Sequence, residues 1–154
     1  MSKHYKNIKN CRICDSDGLA EVVKIEDQYL SPTFVKSNKN NPLSKIRVPH
    51  TLVLCDDCGL LQLKETVEPD LLYKQYFYRS AVSDTMRRDL REVVDDVTSR
   101  VDLDEGDVVV DIGANDCTMI SWFPDTCNRI AVEPAENIDW RSVDPSITIV
   151  NDYF

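Results

Sequence analysis

The sequence lacks any run of about 18 apolar residues, the minimum for a membrane-spanning helix. Its N-terminus, MSKHYKNIKN, is polar and has no apolar segment typical of a secretory signal peptide. These absences exclude membrane insertion and secretion, so we expect a cytoplasmic protein. Thiols stay reduced in that compartment, and paired cysteines there more often bind metal than form disulfides.

Positive charge is scarce in the second half of the chain. Residues 1–80 have 12 Lys and Arg against 10 Asp and Glu, whereas residues 81–154 have 6 against 17. Nucleic-acid binding needs clustered cations, so this half argues against a nucleic-acid partner. Charge of this sign is more often a solubility feature than a partner signal.

Glycine is also scarce, with four in 154 residues. Gly113 lies in DIGANDC (111–117), directly after the apolar run at 108–110, where a dinucleotide-binding loop would carry the glycines of G-x-G-x-x-G. The loop therefore does not fit a pyrophosphate. A nucleoside cofactor without one, such as S-adenosylmethionine (SAM), stays compatible, and an ordinary turn in an α/β core is the alternative.

Two acidic positions support the cofactor interpretation. In open α/β sheets the ligand lies beyond the carboxyl ends of the strands, and an acidic residue ending the second strand binds the ribose hydroxyls. Asp111 and Gly113 end the first predicted strand, and Glu133, 20 residues after Gly113, ends the second. This spacing fits a nucleoside cofactor.

Six cysteines are present, and four of them form two C-x-x-C pairs separated by 40 residues. Each pair presents two thiolates from one tight turn, so together they predict a four-thiolate zinc site. Gly59 follows the second pair and suits a turn residue with positive φ. Four thiolates leave no open position for water, so the zinc is structural, and the alternatives are metal-free turns or a redox pair. The ligands are Cys11, Cys14, Cys55 and Cys58.

Short apolar runs around these pairs predict a β-rich zinc-binding module at residues 1–68. It begins with a polar lead-in at 1–10, and His50 is interpreted as a loop residue, not a ligand. Composition and apolar runs predict a strand at Leu19–Ile25, a surface loop at Ser31–Pro49, and hairpin arms at Thr51–Leu54 and Leu60–Leu63.

A helical linker is predicted at residues 69–101. One helix starts at Pro69 and runs towards Tyr76. A second is capped by Ser83 and has an apolar face with helical spacing. That face consists of Met86, Leu90, Val93, Val94, Val97 and Val101.

Residues 102–154 alternate short apolar strands with helical segments, which predicts a parallel, doubly wound sheet. The predicted fold is therefore α+β and α/β: a small zinc module, a linking helix and the first half of a Rossmann-like sheet. The strands are Val108–Ile112, Arg129–Val132 and Ile147–Val150, with helices near Thr118–Phe123 and Ala135–Trp140.

Together these features resemble one family, the SAM-dependent C-methyltransferases of nucleotide-linked deoxysugars. That family joins an N-terminal zinc-binding domain to a Rossmann-like methyltransferase domain, and the resemblance extends over nearly the whole chain. It rests on five stretches in the family's order: CRIC (11–14), VLCDDCGLLQL (53–63), YFYRSAVS (76–83), DIGAND (111–116) and VEPA (132–135).

The resemblance implies a role for each of these stretches. Glu133 would hold the ribose of SAM, and Asp152 would lie near the adenine. A base would remove a proton next to a ketone of the nucleotide-linked sugar, and the enolate would take the methyl group. Asp111, Gly113, Asn115 and Asp116 would frame the methionine end, and Tyr76, Tyr78 and Ser80 would face the sugar. For both tyrosines, packing against the core is the alternative.

Two departures from the family affect this expectation. The family usually has glycine where this chain has Cys117; if the backbone there needs positive φ, a side chain costs roughly 1 to 2 kcal/mol and lowers cofactor affinity. A thiol at a helix N-terminus is reactive when its pKa is lowered, but a buried side chain is the favoured interpretation, and Cys127 is interpreted as core or turn.

The second departure is that the sequence stops after the third strand, whereas the family continues through further strands and carries its candidate base there. Neither His4 nor His50 replaces that base. We therefore expect a fragment, a partner of a second polypeptide that completes the sheet, or a decayed enzyme, and a chain inactive alone. The alternative function is a zinc-stabilised, non-catalytic binding or scaffold module.

Overall fold

The structure is a computed structural model that describes residues 4–31 and 46–154. The chain forms two compact units, Met1–Tyr73 and Lys74–Phe154. Within the described ranges, every helix is too short or too polar to cross a membrane.

The first unit consists of two antiparallel sheets and a short helix. Strand β1 pairs with β5, and strands β2, β3 and β4 form a three-stranded sheet in that order. The helix α1 follows β5 directly. The elements are β1 (Tyr5–Asn7), β2 (Leu19–Tyr29), β3 (Arg47–Cys55), β4 (Leu61–Leu63), β5 (Glu65–Val67) and α1 (Pro69–Tyr73).

Strand β3 determines which face of its sheet is buried. Thr51, Val53 and Cys55 alternate along β3 and are all at most 3% exposed, which is the period of two that a half-buried strand requires. The intervening Leu54 is exposed, and it pairs with the exposed Leu61 of β4. One face of this sheet therefore packs inward and the other leaves apolar side chains in solvent.

The predicted hairpin around the second cysteine pair is confirmed, but several boundaries in this unit were wrong. The first long strand continues past Ile25 to Tyr29, because Gln28 and Tyr29 also pair with β3 after a shift in register. The lead-in contains β1, and His50 lies in β3, not in a loop. Of the predicted loop, 32–45 lies outside the described residues, and 47–49 belongs to β3.

The second unit begins with a three-residue 3₁₀ helix at Ser80–Val82 and helix α2 at Asp84–Arg100. Ser83 caps α2 as predicted, since its side chain accepts a hydrogen bond from the backbone N–H of Met86. Val94 is the buried residue of its apolar face. The first linker helix ends at Tyr73, earlier than predicted, because α1 has only five residues.

Three parallel strands follow, and this prediction is confirmed. They lie in the order β6, β7, β8, so the first strand is at an edge. Val110 pairs with Ile130, and Ile130 with Thr148, so the three carboxyl ends meet at the same edge. The strands are β6 (Val108–Ile112), β7 (Asn128–Val132) and β8 (Thr148–Val150).

Two predictions for this sheet were wrong. The helices expected between the strands are only 3₁₀ turns, at Ile120–Trp122 and Trp140–Ser142. The first ends just before Pro124, which cannot continue a helix, and the second is a single turn capped by Asp139. The apolar run of β6 is also not fully buried, since its alternate residues Val108, Val110 and Ile112 are 60%, 47% and 57% exposed.

The core of this unit lies between the sheet and these short turns. Five buried residues form it, and Trp140, Val143 and Ile149 pack against them. The five are Ala114, Cys117, Ile120, Ala131 and Ile147. Ala114 and Cys117 of the loop after β6 therefore belong to the core. The same loop lies at the carboxyl end of β6, where ligands bind in open α/β sheets.

Candidate functional site

The four paired cysteines lie together, with all four Sγ atoms within 4.8 Å of one another. Cys11 and Cys58 are 3.6 Å apart and Cys14 and Cys55 are 3.5 Å apart, measured between sulfurs. A tetrahedral zinc with Zn–S bonds of about 2.3 Å places its sulfurs about 3.8 Å apart. The sulfurs therefore fit zinc, and each comes from one of the predicted ligands.

The two cysteine turns have the same backbone geometry. The N–H of Asp15 donates to the carbonyl of Cys11 at 3.1 Å, and the N–H of Gly59 donates to the carbonyl of Cys55 at 3.0 Å. Both residues have positive φ, 61° for Asp15 and 72° for Gly59. The sequence indicated Gly59 but not Asp15, because aspartate is less often found in this conformation than glycine.

A second layer of side chains supports the sulfurs. Gln62 on β4 donates to the Sγ of Cys11 at 3.3 Å, and its amide oxygen accepts from both the backbone N–H and the guanidinium of Arg12. Arg12 also donates to the carbonyl of Leu63 and the hydroxyl of Thr66. This network fixes the first cysteine turn against β4 and β5, and the sequence analysis missed it.

The thiols of this cluster differ in pKa. Backbone N–H groups of Cys14 and Ile13 lower the pKa of Cys11 to about 6. For Cys14 the N–H of Ser16 acts in the same direction, but the neighbouring Cys58 and Cys55, together with burial, outweigh it and raise the pKa to about 12. Four thiolates this close repel one another, so a divalent cation is what allows all of them to be ionised.

The second unit brings the residues predicted to bind a cofactor to one side of the parallel sheet, where the carboxyl ends of its strands lie. Gly113 follows β6, Glu133 follows β7, and Asp152 lies two residues after β8, exposed. Because parallel strands place their carboxyl ends together, this edge is where an open α/β sheet binds ligands. We call it the cofactor edge.

The loop after β6 has an unusual backbone. Gly113, Asn115 and Cys117 have positive φ, at 78°, 51° and 61°, and they alternate with two residues of negative φ. Every backbone N–H from Gly113 to Thr118 donates to an acceptor in the same chain. The acceptors, in order, are the Val132 carbonyl twice, Glu133 Oε2, Asn115 Oδ1, the Ala114 carbonyl and Asp116 Oδ1.

Glu133 is buried, at 6% exposed, and joins this loop to the loop after β7. Its Oε2 accepts from the N–H of Asn115 at 2.9 Å, and its Oε1 accepts from the N–H of Ala135 at 2.8 Å. Asn151, after β8, donates to the carbonyl of Glu133 at 2.7 Å. The residue therefore links the ends of all three strands.

Asp111, the penultimate residue of β6, is also buried, at 8% exposed. Burial, and then the charge of Glu133, raise the pKa of Asp111 above its ordinary value. Among the described residues its carboxylate has no hydrogen-bond or ion-pair partner, and its oxygens, which are not among the fully buried polar atoms, still reach solvent. A buried carboxylate without a partner beside a second carboxylate is typical of a ligand site.

Side chains of the loop after β6 form hydrogen bonds with the backbone of the YFYRSAVS segment (76–83). Asn115 donates to the carbonyl of Tyr78 at 3.1 Å, and Asp116 accepts from the N–H of Ala81 at 2.9 Å. Tyr76, Tyr78 and Ser80 are half-buried. The structure therefore places the segment next to the loop after β6.

Two residues that the sequence analysis missed hold the other side of this segment. The side chain of Asn137 exchanges two hydrogen bonds with the backbone of Tyr76, at 3.1 and 3.0 Å. The guanidinium of Arg79 donates to the carbonyls of Tyr76, Tyr78 and Asn137 at 2.6, 2.8 and 2.7 Å. The contacts of Asn137 with Tyr76 and Arg79 join residues about 60 positions apart, and no local sequence pattern signals them.

Comparison with known proteins agrees with this arrangement. Residues 11–73 match the model of a protein family described as "Putative zinc binding domain". Over 139 residues the chain is 28% identical to C-methyltransferase NovU of Streptomyces niveus. The aligned region covers 90% of this chain and 33% of that relative. The chain is therefore similar to a zinc-binding domain at residues 11–73 and, over most of its length, to part of a C-methyltransferase. The chain thus spans about one third of the length of that relative.

A cavity of about 310 Å³ lies beside the loop after β6, and its lining includes Asp116 and Cys117 of that loop and Ala81 of the YFYRSAVS segment. Its two carboxylates already have partners: Asp116 accepts from Ala81 and Thr118, and Asp144 pairs with the buried Arg129 at 3.1 Å. The cavity adjoins the short 3₁₀ turns that replace the predicted helices.

The two remaining cysteines of the module are buried thiols. Cys117 is 2% exposed, and burial, followed by the charges of three neighbouring carboxylates, raises its pKa to about 12. It also precedes a 3₁₀ turn, not a full helix. The reactive-thiol alternative is therefore wrong, and the favoured interpretation as a buried side chain is confirmed. Cys127 is 6% exposed and belongs to the core, as expected.

Replacing Cys117 by glycine is expected to give a more stable module than replacing it by alanine, by about 1 kcal/mol. Both variants lose the buried sulfur, but only glycine relieves the strain at a φ of 61°. Urea unfolding of the two variants measures the difference. At Cys127, where φ is negative, the alanine variant should instead be more stable than the glycine variant. Equal stabilities of the two variants at position 117 would contradict the strain.

Proposed function

We propose that the chain supplies the zinc-stabilised N-terminal part and the cofactor edge of a Rossmann-like, SAM-dependent C-methyltransferase acting on a nucleotide-linked keto-deoxysugar. The observation that carries this proposal is the carboxylate of Asp111, buried beside Glu133 without a partner. SAM carries a sulfonium and an ammonium cation, so a site with uncompensated negative charge suits it better than an anionic dinucleotide.

The residues of this chain would act by binding and positioning. Asp111 would pair with the cationic methionine end, the remaining lone pairs of Glu133 would accept from the ribose hydroxyls, and Asp152 would lie near the adenine. SAM, when bound, supplies an electrophilic methyl group. Tyr76 and Tyr78 would face the sugar and donate hydrogen bonds to the enolate oxygen that develops when the sugar loses a proton.

The zinc site has a different role. All four positions around the metal would be taken by cysteine, so no water or substrate can reach it, and its effect is to hold the small β-rich unit together. Within this chain, the residues proposed to meet the cofactor and the sugar all belong to the second unit.

Isothermal titration with SAM and with S-adenosylhomocysteine tests this function. We expect SAM to bind more tightly than S-adenosylhomocysteine, because only SAM has the sulfonium charge near Asp111. Zinc content and circular dichroism, measured on the same sample, establish that it is folded. Absence of binding by a folded, zinc-loaded sample would contradict the proposal.

One observation favours a second candidate function, a zinc-stabilised binding or scaffold module. The outer face of the β2–β3–β4 sheet exposes Val23, Leu54, Leu61 and Leu63, which are 37% to 52% exposed. Exposed apolar patches of this kind are typical of interaction surfaces. Val108, Val110 and Ile112 of β6 are exposed as well. Their exposure favours a second polypeptide that packs beside the parallel sheet. This candidate predicts bound zinc, no affinity for SAM, and a protein partner.

A further inference from the structure

The cavity beside the loop after β6 lies where a doubly wound sheet usually packs full helices. In this chain the two connections are the 3₁₀ turns Ile120–Trp122 and Trp140–Ser142. Both turns line the cavity, and helix α2 contributes Arg87. The volume of about 310 Å³ is at the lower end of the range for small-molecule sites, which is about 300 to 1,000 Å³. The space therefore suits one small ring.

Arg87 brings an unpaired positive charge to this cavity. Residues 81–154 contain six cationic side chains, all of them arginine. Five of these pair with an aspartate at 3.9 Å or less, namely Arg88, Arg91, Arg100, Arg129 and Arg141. Within the described ranges the guanidinium of Arg87 has neither a hydrogen bond nor an ion pair. Its donors are therefore available to a ligand in the cavity.

The hydroxyl groups of the lining have already used their protons. Thr118 donates to Oδ1 of Asp116, Ser121 donates to the carbonyl of Thr118 at 2.8 Å, and Ser142 donates to the carbonyl of Asp139 at 2.8 Å. A hydroxyl has one proton and two lone pairs, so each of these oxygens is left as an acceptor. The three oxygens therefore favour a ligand that donates hydrogen bonds.

The charges at the cavity nearly balance. The carboxylate of Asp144 pairs with the buried Arg129 at 3.1 Å, which leaves Asp116 and Arg87 as one further charge of each sign. An anionic ligand would be repelled by Asp116 and by the acidic surface of this half of the chain, and a cationic ligand would be repelled by Arg87. The lining therefore suits a neutral ligand.

Trp122 and Val143 give the cavity an apolar side. The guanidinium of Arg91 lies over the Trp122 ring, 5.9 Å from its centroid, and helps to hold it in place. The indole offers an apolar face and one N–H donor, and that N–H has no acceptor among the described residues. A pyranose ring has C–H groups on its faces and hydroxyl groups around its rim, so it complements such a wall.

We propose that this cavity binds a neutral saccharide ring. The ring stacks on Trp122, its oxygens accept from Arg87 and from the indole N–H, and its hydroxyl groups donate to the three hydroxyl oxygens of the lining. None of these residues is assigned to SAM or to the substrate in the proposed function, so the saccharide site stands independently of it.

A titration of the whole chain with the methyl pyranosides of glucose, galactose and mannose tests the site. NMR follows the indole N–H resonances of Trp122 and Trp140. With at least one of the three sugars, the Trp122 resonance should shift to saturation, with a dissociation constant in the millimolar range. Trp140, which packs against the core, should not respond. The proposal is overturned if none of the three sugars shifts the Trp122 resonance to saturation.

Replacing Arg87 by alanine should weaken sugar binding about tenfold, because a charged hydrogen-bond donor is lost. Arg88→Ala is the matched control, since Arg88 lies beside it on α2, pairs with Asp89 and does not line the cavity. Both side chains are exposed, so both variants should fold, and circular dichroism checks this. Equal sugar affinities of Arg87→Ala and the natural protein would contradict the site.

Inorganic phosphate and a nucleoside-diphosphate-linked glucose separate this site from an anion or substrate site. Phosphate should leave Trp122 unchanged, and the linked glucose should bind there no more tightly than methyl glucoside. Tighter binding of either anion would overturn the proposal. A chain that does not bind SAM but shows the sugar-dependent shift would lose the proposed function and keep the saccharide site. A chain that binds SAM without that shift would do the reverse.

Discussion

Replacing Cys55 by serine is expected to release zinc and to unfold the unit Met1–Tyr73. Cys55 is 1% exposed, and its sulfur is 3.5 Å from that of Cys14. Small zinc modules derive roughly 10 kcal/mol or more of their folding free energy from the metal, whereas β2 in this unit leaves nearly all its side chains in solvent. The apolar core of the unit cannot compensate for a loss of that size.

Zinc content by plasma mass spectrometry and far-UV circular dichroism measure this effect, and a strong chelator added to the natural protein should reproduce it. Asp57→Ser provides a matched control, because Asp57 lies between the two cysteines of the same turn and is exposed. This control should keep one zinc per chain. A Cys55→Ser variant that stays folded without metal would contradict the structural role of the site.

The zinc site was the part of the molecule that the sequence predicted best, because its information is local. Two C-x-x-C turns define their own geometry within five residues each, and only one arrangement brings four thiolates together. The supporting contacts of Gln62 and Arg12 were not predictable in the same way. They join residues 50 positions apart, and that contact exists only once β4 has paired with β3.

The parallel sheet was predicted from apolar runs, but the connections between its strands were not. A short apolar segment such as Thr118–Phe123 has the composition of either a buried turn or a helix, and it lacks the length that stabilises an isolated helix. Pro124 and the hydrogen bonds of Asp116 to Thr118 favour the turn. Tertiary packing of Ile120 into the core then fixes it.

At the cofactor edge, the sequence indicated which residues belong together but not how they interact. The spacing from Gly113 to Glu133 follows from the length of one strand–turn–strand unit, so the positions of both were predictable. The Glu133 carboxylate accepts the N–H of Asn115 across the sheet, in a loop where Asn115 and Cys117 have positive φ. Residues other than glycine seldom adopt that conformation, and local sequence gives little warning of it.

Replacing Asp111 by asparagine is expected to stabilise the fold and to weaken SAM binding. Asparagine removes a buried charge that has no partner and that Glu133 repels, a gain on the order of 1 kcal/mol at neutral pH. It also removes the proposed charge-assisted contact to the cationic end of SAM, worth about 1.5 to 3 kcal/mol, so affinity should fall roughly tenfold to a hundredfold. Thermal unfolding and isothermal titration measure the two effects.

The pH dependence of this difference separates the charge from other effects of the substitution. Because the pKa of Asp111 is raised in the folded state, the folded state binds its proton more tightly than the unfolded state does. The natural protein therefore loses stability from this group as pH rises from the ordinary aspartate value of 3.8 through the raised one. The two proteins should be equally stable below that interval and should differ most above it.

The exposed Asp125→Asn removes the same charge from the surface of the unit and is the control for both measurements. It should leave SAM affinity and the pH dependence of stability unchanged. If Asp111→Asn were instead less stable than the natural protein at neutral pH, the carboxylate would be a structural group. In that case Asp111 would not be a free negative charge at the cofactor edge, and a cationic ligand would no longer be favoured there.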